Sequence, residues 1–244
     1  MTRPAATGLL SPHTALFLDF DGTLAALQDN PDAVCLPPGG AELLRSLSAR
    51  LGGALALVSG RDGRDLAKRV PDELWRAGNH GDMVLEPGEA GPTETPAPPT
   101  DLLAQAKEVI GGFDGARLEQ KARVLAFHTR ACPHHADALA AALAALVDSR
   151  TDYILERGKD IAELKPTGVD KGEAVKLLMQ KITFEGRVPL FIGDDTTDED
   201  GFAASLALNG SAIKIGQGAT CAPFRLEGPS DVWRFLRDGY NDLA

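Results

Sequence analysis

The feature that most constrains the fold is a repeated alternation of short apolar runs with longer amphipathic runs. Residues 15–20, 54–58 and 188–192 have the length and composition of buried strands, and each run leads into acidic or polar residues. Residues 40–51 and 170–182 have apolar side chains at helical spacing, which predicts Val175, Leu178, Met179 and Ile182 on the buried face of the second helix. Strands alternating with helices are typical of an α/β fold with a mainly parallel sheet.

A proline-rich stretch, residues 87–101, interrupts this alternation. It cannot form a helix or a central strand, so we interpret it as a loop at a domain boundary. After it, the pattern of residues 102–167 predicts two helices and several short strands, which would form a smaller α+β unit. The predicted catalytic core is therefore discontinuous and comprises residues 1–101 and 168–244.

Composition limits the classes of partner. The formal net charge is −10 and the sequence pI is about 5.0, so the overall field does not favour nucleic acid or anionic membranes. A phosphate ligand would need local cations or a metal ion. Three cysteines, an odd number, predict a reducing compartment. The early apolar run 15–18 is too short for a signal peptide or a membrane span, so we expect a cytoplasmic protein.

The sharpest motif is Asp19-Phe20-Asp21-Gly22-Thr23-Leu24, which ends the first apolar run. Asp19 and Asp21 lie at the carboxyl end of a predicted strand, the edge where open α/β sheets bind ligands. Two acids placed there repel each other and lose hydration, so stability alone does not favour them. A divalent cation would offset both costs, and Gly22 would allow a tight turn.

This pair of carboxylates fits nucleophilic attack on phosphorus. We expect Asp19 to attack the phosphoryl group, and Asp21 to protonate the leaving oxygen and later to deprotonate water. The predicted chemistry is hydrolysis of a phosphate ester through an aspartyl-phosphate intermediate.

The same motif resembles that of the haloacid dehalogenase-like (HAD) phosphotransferase superfamily, whose other motifs follow in order. Ser59 and Gly60 come after the second predicted strand, and the resemblance implies that they bind phosphate oxygens. Lys171, at the start of a predicted helix, matches the lysine that balances phosphoryl charge. The resemblance implies a Rossmann-like HAD core with a smaller α+β cap.

The fourth motif is the acidic run from residue 193 to residue 200. Carboxylate oxygens of this kind suit Mg²⁺, the expected cofactor. The predicted metal-binding residues are Asp19, Asp21 (through its carbonyl) and Asp194. Asp195 and Asp198 would support these ligands through hydrogen bonds, or would exchange the direct role with Asp194.

The segment between Ser59 and Lys171 resembles a C2-type cap, and its motifs resemble those of the trehalose-6-phosphate phosphatases. The motifs are Gly78–Gly81, Glu119/Lys121 followed by His128/Arg130, and Glu163–Pro166. By this resemblance the residues that contact the sugar are Asn79, His80, Gly81, Glu119, Lys121 and Glu163. Arg130 is expected to bind phosphate, because its guanidinium suits bidentate contacts.

The resemblance implies a Mg²⁺-dependent phosphatase that converts trehalose 6-phosphate to trehalose and phosphate, the last step of trehalose biosynthesis. A phosphatase acting on sucrose-phosphate or mannosylglycerate-phosphate is the nearest alternative. A phosphomutase would retain the same core. A non-catalytic phosphosugar-binding protein would commonly have lost Asp19, Asp21 or Lys171, which are all present. We expect a monomer whose partner is a small-molecule sugar phosphate.

Overall fold

A computed structural model of the chain describes residues 8–28, 30–91, 96–158 and 160–243. In chain order, the strands are β1 (Thr14–Leu18), β2 (Leu55–Val58), β3 (Trp75–Gly78), β4 (Met83–Leu85), β5 (Arg117–Lys121), β6 (Val124–His128), β7 (Tyr153–Gly158), β8 (Ile161–Pro166), β9 (Val188–Gly193), β10 (Ser211–Ile215) and β11 (Phe224–Leu226). The helices are α1 (Gly40–Arg50), α2 (Gly63–Ala67), α3 (Thr100–Ile110), α4 (Ala136–Val147), α5 (Lys171–Met179), α6 (Asp198–Ala207) and α7 (Pro229–Asp242). Short 3₁₀ turns lie at Pro31–Ala33, Asn79–Gly81 and Pro133–His135.

The chain divides into two compact units. The first comprises Met1–Gly91 with Asp170–Ala244, and the second comprises Pro92–Val169. From the sequence we placed these boundaries at 101/102 and 167/168, which lie ten residues after the first observed division and two residues before the second.

The first unit is built on a seven-stranded sheet in the order β11-β10-β9-β1-β2-β3-β4. Its strand pairs are parallel except for β3 with β4. Leu18 lies opposite Leu57 of β2 on one side and Ile192 of β9 on the other. The residues that follow β1, β2 and β9 therefore emerge side by side at one edge of the sheet.

Each face of this sheet packs against helices, and the alternation within β1 shows why. Leu16 and Leu18 belong to one apolar cluster, which also contains side chains of α1 and α7. Ala15 and Phe17 belong to the other, which contains side chains of α5 and α6. A strand buried on both faces reads as a continuous apolar run, as β1 does.

The second unit has its own sheet and its own core. Its four strands are antiparallel in the order β5-β6-β8-β7. Leu125 and Phe127 of β6 pack with side chains of α3 and α4, so the helices cover one face of this sheet. The predicted fold class, an α/β core with a mainly parallel sheet and a smaller α+β unit, is confirmed.

The predicted helix 170–182 is correct at its start and wrong at its end. Asp170 caps α5, since its side chain accepts a hydrogen bond from the N–H of Glu173 at 2.8 Å. Val175 and Leu178 are buried as predicted. Ile182, predicted on the same buried face, is 83% exposed, because α5 ends at Met179.

The proline-rich segment has no regular structure in residues 87–91 and 96–99, as predicted. The prediction is wrong for its last two residues, Thr100 and Asp101, which form the start of α3 because they follow the last proline. Residues 92–95 lie outside the described part of the chain. No helix among the described residues has the length and apolar character needed to span a bilayer.

Candidate active site

The first predicted acid lies at the carboxyl end of the central strand. Asp19 is 4% exposed, and its N–H donates to the carbonyl of Ile192 at 2.9 Å. The chain then turns at Gly22, whose φ is +74°. A Cβ on Gly22 would lie 2.1 Å from Oδ2 of Asp194. Glycine at this position thus allows Asp194 to approach the loop that carries Asp19.

Three carboxylates converge at this edge although they are far apart in the chain. Asp19, Asp194 and Asp198 each offer one oxygen, and these oxygens lie within 4.8 Å of one another. Lys171 Nζ donates to Asp19 Oδ1 at 2.7 Å and to Asp198 Oδ1 at 2.6 Å. Lys171, Asp19 and Asp198 are all buried. A buried ammonium therefore lies between two buried carboxylates, and the third carboxylate is close to both.

The electrostatics of this cluster show an excess of negative charge. Burial raises the pKa of Asp19 well above its ordinary value, Lys171 opposes this, and Asp198 and Asp194 reinforce it. Burial, together with the charge of Asp198, raises the pKa of Asp194 to about 6. Burial would lower the pKa of Lys171, but attraction to Asp19 and Asp198 outweighs burial and raises it. The raised pKa values of Asp19 and Asp194 show that the nearby lysines do not fully offset burial and the mutual repulsion of the carboxylates.

This donor set fits a hard divalent cation. Closely spaced carboxylate oxygens with uncompensated charge are the ligands that Mg²⁺ prefers in proteins. Asp19 and Asp194, two of the predicted ligands, belong to the set, and Asp198 is its third member. Asp198 also accepts a hydrogen bond from the N–H of Asp195 at 2.8 Å, so it orders the acidic loop. The Asp195 side chain is exposed and accepts from the N–H of Thr196 at 2.8 Å.

Two residues that hold Asp194 were missed by the sequence analysis. Thr23 Oγ1 donates to Asp194 Oδ1 at 3.3 Å. Lys214, in β10 and 4% exposed, donates through Nζ to the carbonyl of Asp194, and lies 3.5 Å from the carbonyl of Asp195. The only available signal for Lys214 was a lysine inside an apolar strand.

The predicted phosphate-binding residues lie in the loop after β2, the strand adjacent to β1. Ser59 is 1% exposed, and its carbonyl accepts from the N–H of His80 at 3.0 Å. A Cβ on Gly60 would lie 2.8 Å from Cε1 of the His80 ring. The Asn79–Gly81 turn is therefore fastened to the Ser59 loop, and Gly60 leaves room for the imidazole.

The buried side chain of Asn79 suggests that this turn binds a ligand. Asn79 is 1% exposed and has a φ of +51°. Neither polar atom of its side chain has a hydrogen-bond partner among the residues described. Leaving such a group buried and unpaired costs about 1–3 kcal/mol, so structural reasons alone do not favour it. This supports the prediction that Asn79 contacts the substrate, which stays a prediction.

The second acid of the motif has a partner that the sequence analysis did not identify. Arg61 Nε lies 2.6 Å from Asp21 Oδ2, and Arg61 Nη2 lies 2.6 Å from Asp21 Oδ1. The guanidinium thus binds both carboxylate oxygens of Asp21. The motif Ser59-Gly60-Arg61 contained this residue, but no spacing rule pairs it with Asp21.

The second unit carries three of the predicted sugar-binding residues on one face of its sheet. Ala126 of β6 lies opposite both Glu119 of β5 and Glu163 of β8, so the two glutamates share a face. Lys121 is two residues after Glu119, and its Nζ lies 3.4 Å from Oε1 of Glu163. His128 Nε2 lies 2.7 Å from Glu119 Oε2. This polar face is opposite the face that packs on α3 and α4.

The hydrogen bond with His128 keeps the pKa of Glu119 below its ordinary value, against the effect of burial and with help from Lys121. Glu119 is therefore ionised at neutral pH and suited to accept hydrogen bonds from sugar hydroxyls. Arg130, predicted to bind phosphate, is exposed and lies two residues after the end of β6.

The predicted residues thus fall into two groups. At the carboxyl edge of the first unit's sheet lie Asp19, Asp21, Ser59, Gly60, Asn79, His80, Gly81, Lys171, Asp194, Asp195 and Asp198. In the second unit, Glu119, Lys121 and Glu163 share one sheet face, and Arg130 lies after the end of β6. With its mainly parallel sheet, its separate antiparallel unit and its carboxylate–lysine cluster, the chain has the fold class and the acidic site that its sequence motifs predict.

Comparison with known proteins narrows this class. The family model described as "Trehalose-phosphatase" matches residues 17–230. Over 240 residues the chain is 41% identical to the trehalose-6-phosphate phosphatase of Escherichia coli (strain K12), covering 97% of this chain and 90% of that protein. It is 33% identical to the trehalose-phosphate phosphatase of Mycobacterium bovis (strain BCG / Pasteur 1173P2), covering 94% of this chain and 62% of that longer protein.

A solved structure, the C-terminal domain of the Candida albicans trehalose-6-phosphate phosphatase, superposes with a TM-score of 0.75 at 21% identity. The match covers 94% of this chain and 92% of that one, and at this identity the likeness concerns the fold. The chain belongs to the trehalose-phosphatase family.

Proposed function

We propose that this protein hydrolyses trehalose 6-phosphate to trehalose and inorganic phosphate. The observation that carries the reaction class is the buried Lys171, shared between Asp19 and Asp198 at the sheet edge. Membership of the family supports the substrate. The reaction would be the last step of trehalose biosynthesis, and the three cysteines, all free, are consistent with a cytoplasmic site.

The reaction has two steps. In the first, a carboxylate oxygen of Asp19 attacks phosphorus, the bond from phosphorus to the sugar oxygen breaks, and Asp21 gives that oxygen its proton. In the second, Asp21 takes a proton from water, the water oxygen attacks the aspartyl-phosphate, and phosphate leaves as the Asp19 carboxylate is regenerated. Lys171 fixes the orientation of Asp19 through Oδ1 and offers positive charge to the phosphoryl group.

The cofactor in this proposal is Mg²⁺, held by Asp19 and Asp194, with the Asp21 carbonyl as a further ligand. When bound, it would supply positive charge to the phosphoryl oxygens. The chain supplies the rest of the site: Ser59 and the backbone after it bind phosphate oxygens, and Thr23 and Lys214 keep Asp194 in place.

Recognition of the sugar is assigned to two sets of residues. Glu119, Lys121 and Glu163 present carboxylates and an ammonium on one face of the second unit, and such groups bind sugar hydroxyls. In the first unit, Asn79 has an unsatisfied buried amide suited to the same role. Arg130 would bind phosphate. We propose a monomer, with no macromolecular partner required for turnover.

The experiment that tests this function measures phosphate release from a panel of sugar phosphates with Mg²⁺ present. We expect kcat/KM to be highest for trehalose 6-phosphate, well above glucose 6-phosphate, sucrose 6-phosphate and mannosylglycerate-phosphate. Equal rates for trehalose 6-phosphate and glucose 6-phosphate would refute the proposed substrate.

A matched variant tests the chemistry separately. Asp19→Asn keeps the size of the side chain and removes the nucleophile, so we expect it to abolish turnover while the fold is retained by circular dichroism. For the wild-type protein, free trehalose and phosphate as the only products would exclude transfer of the phosphoryl group to another sugar hydroxyl. Retained activity in Asp19→Asn would remove Asp19 as the nucleophile.

A further inference from the structure

Arg61 has no part in the reaction described so far, yet it is the residue most closely bound to Asp21. Its Nε and Nη2 atoms each lie 2.6 Å from a different oxygen of that carboxylate. A planar guanidinium matches a carboxylate in this two-bond geometry and fixes both its position and its plane. The orientation of Asp21 is therefore set by Arg61.

The guanidinium is itself held in place from several sides. Nη1 donates to Asp65 Oδ2 at 2.8 Å, and Nη2 donates to the carbonyl of Pro31 at 3.1 Å. The guanidinium carbon lies 5.5 Å from the centre of the Phe20 ring. The Arg61 side chain is only 12% exposed. The position of the Arg61 guanidinium is therefore set by contacts with Asp65, Pro31 and Phe20 as well as by Asp21.

Asp65 provides Arg61 with a second counterion, and Asp65 is anchored in turn. Arg69 donates to both of its oxygens, through Nε at 2.9 Å and Nη2 at 2.8 Å. Asp65, which is shared with Arg69, therefore holds Arg61 through Nη1 independently of the contacts between Arg61 and Asp21.

Proton transfer to a leaving oxygen depends on placing the donor atom within hydrogen-bond reach, and an error of about 1 Å can cost about 100-fold in rate. From these contacts we infer that Arg61 is a positioning residue that holds the Asp21 carboxylate in the orientation needed to protonate the leaving group. One oxygen of Asp21 stays on Arg61 while the other turns to the leaving oxygen. This inference rests on the proposed role of Asp21.

The test compares two kinds of phosphate monoester. Departure of a sugar alkoxide requires a proton, whereas 4-nitrophenolate leaves without one. We expect Arg61→Met to lower kcat/KM for the sugar phosphate by about 10- to 100-fold, and to change kcat/KM for 4-nitrophenyl phosphate less than threefold. Because kcat/KM reports the steps up to loss of the leaving group, the later attack of water does not enter this comparison.

Four further variants test whether the effect is specific to Arg61 and Asp21. Asp21→Asn should show the same selective loss, and adding Arg61→Met to it should cost nothing more, since Arg61 acts through Asp21. Arg61→Lys, which lacks the two-bond fork, should recover only part of the sugar-phosphate rate. Arg64→Met is the control. Arg64 lies close to Arg61 in the chain but pairs with Asp62, so its removal should leave kcat/KM for both esters unchanged.

An equal loss with both esters, or additive losses in the double variant, would overturn the inference and assign Arg61 a purely structural role. The proposed substrate can fail independently. If wild-type protein prefers another sugar phosphate, the same comparison is made with that substrate, and the role of Arg61 is judged only by the difference between alkyl and aryl esters.

Discussion

Lys171 Nζ lies 2.7 Å from Asp19 Oδ1, although the two residues are 152 positions apart in the chain. The contact exists because α5 begins at Lys171, at the same edge of the sheet where β1 ends and Asp19 follows it. Lys171 also binds Asp198, so a single ammonium neutralises part of the charge of both carboxylates. Removing this ammonium should therefore affect both catalysis and folding.

We expect Lys171→Met to lower kcat by at least about 100-fold, since a fixed charge that stabilises the transition state is lost. It should also destabilise the metal-free protein by about 3–5 kcal/mol, because buried carboxylates are left without their partner. Steady-state kinetics and urea unfolding measure the two effects. Lys176→Met is the control: this lysine pairs with Glu173 and is 51% exposed, so stability should change by less than about 1 kcal/mol. Full activity in Lys171→Met would contradict the assignment.

The raised pKa of Asp194 predicts an unusual pH dependence of stability. The folded-state pKa is about 6, and the unfolded-state pKa of an aspartate is about 3.9. Between these values the folded protein keeps a proton that the unfolded chain has lost, so the contribution of Asp194 to stability falls as pH rises through this window. The full difference is at most about 3 kcal/mol, and water around the site reduces it.

The measurement is the difference in free energy of unfolding between wild-type protein and Asp194→Asn, without metal, from pH 4 to pH 8. We expect wild type to lose stability relative to the variant as pH rises. Adding Mg²⁺ should reverse this trend in wild type only, because the cation competes with the proton for the same oxygens. If the difference in unfolding free energy did not vary with pH, the pKa of Asp194 would not be raised in the folded protein.

The polar face of the second unit should control which sugar is accepted. We expect Lys121→Met and Glu119→Gln each to lower kcat/KM for trehalose 6-phosphate by about 10-fold or more, since each removes a charged hydrogen-bonding group. Neither should affect 4-nitrophenyl phosphate, which has no sugar. Lys107→Met, which removes the same charge from the exposed side of α3 in the same unit, is the control. Equal losses with both esters would argue against sugar recognition by these residues.

The elements that the sequence predicts well are those whose physical signal is local. Strands β1, β2 and β9 are buried on both faces, so each is a continuous apolar run in the sequence. Strand β3 was missed because Arg76 lies in its middle. Its Nη2 donates to the carbonyls of Glu86 and Glu89, so a buried charge is tolerated there, but only the folded loop reveals these acceptors.

Helix α6 was missed for a different reason. The sequence analysis treated residues 193–200 as an acidic motif and predicted no helix there, and Gly201, which follows, has a low helix propensity. In the structure the acids occupy the first turn, where the helix dipole favours negative charge. Gly201 is required because a Cβ there would lie 2.5 Å from the ring of Phe191.

The site residues also divide into those with a local sequence signal and those whose contacts depend on the folded loops. Asp19, Ser59, Lys171 and Asp194 belong to motifs whose positions after strands or at a helix start place them at one edge, and parallel topology brings them together. The contacts of Arg61 with Asp21 and of Lys214 with the carbonyl of Asp194 depend on loop conformation, which no periodicity in the sequence encodes.

The close approach of Gly22 to Asp194 gives a final prediction, on the geometry of the metal site. In Gly22→Ala the new Cβ would lie 2.1 Å from Asp194 Oδ2, and the residue would also have to keep a φ of +74°. We expect Asp194 to be displaced, with a loss of Mg²⁺ affinity and of about 100-fold in kcat/KM. Gly88→Ala is the matched control, because Gly88 has a φ of +80° and no atom within 4 Å of the added Cβ.

Gly88→Ala should therefore show only the cost of a left-handed alanine, about 1–2 kcal/mol in the free energy of unfolding, with normal Mg²⁺ dependence of activity. Titration of activity with Mg²⁺, alongside urea unfolding of both variants, separates the two effects. If the two variants lost the same stability and kept the same Mg²⁺ affinity, the contact between Gly22 and Asp194 would not position the ligand. A selective loss of affinity in Gly22→Ala identifies the absence of a side chain at residue 22 as a requirement of the metal site.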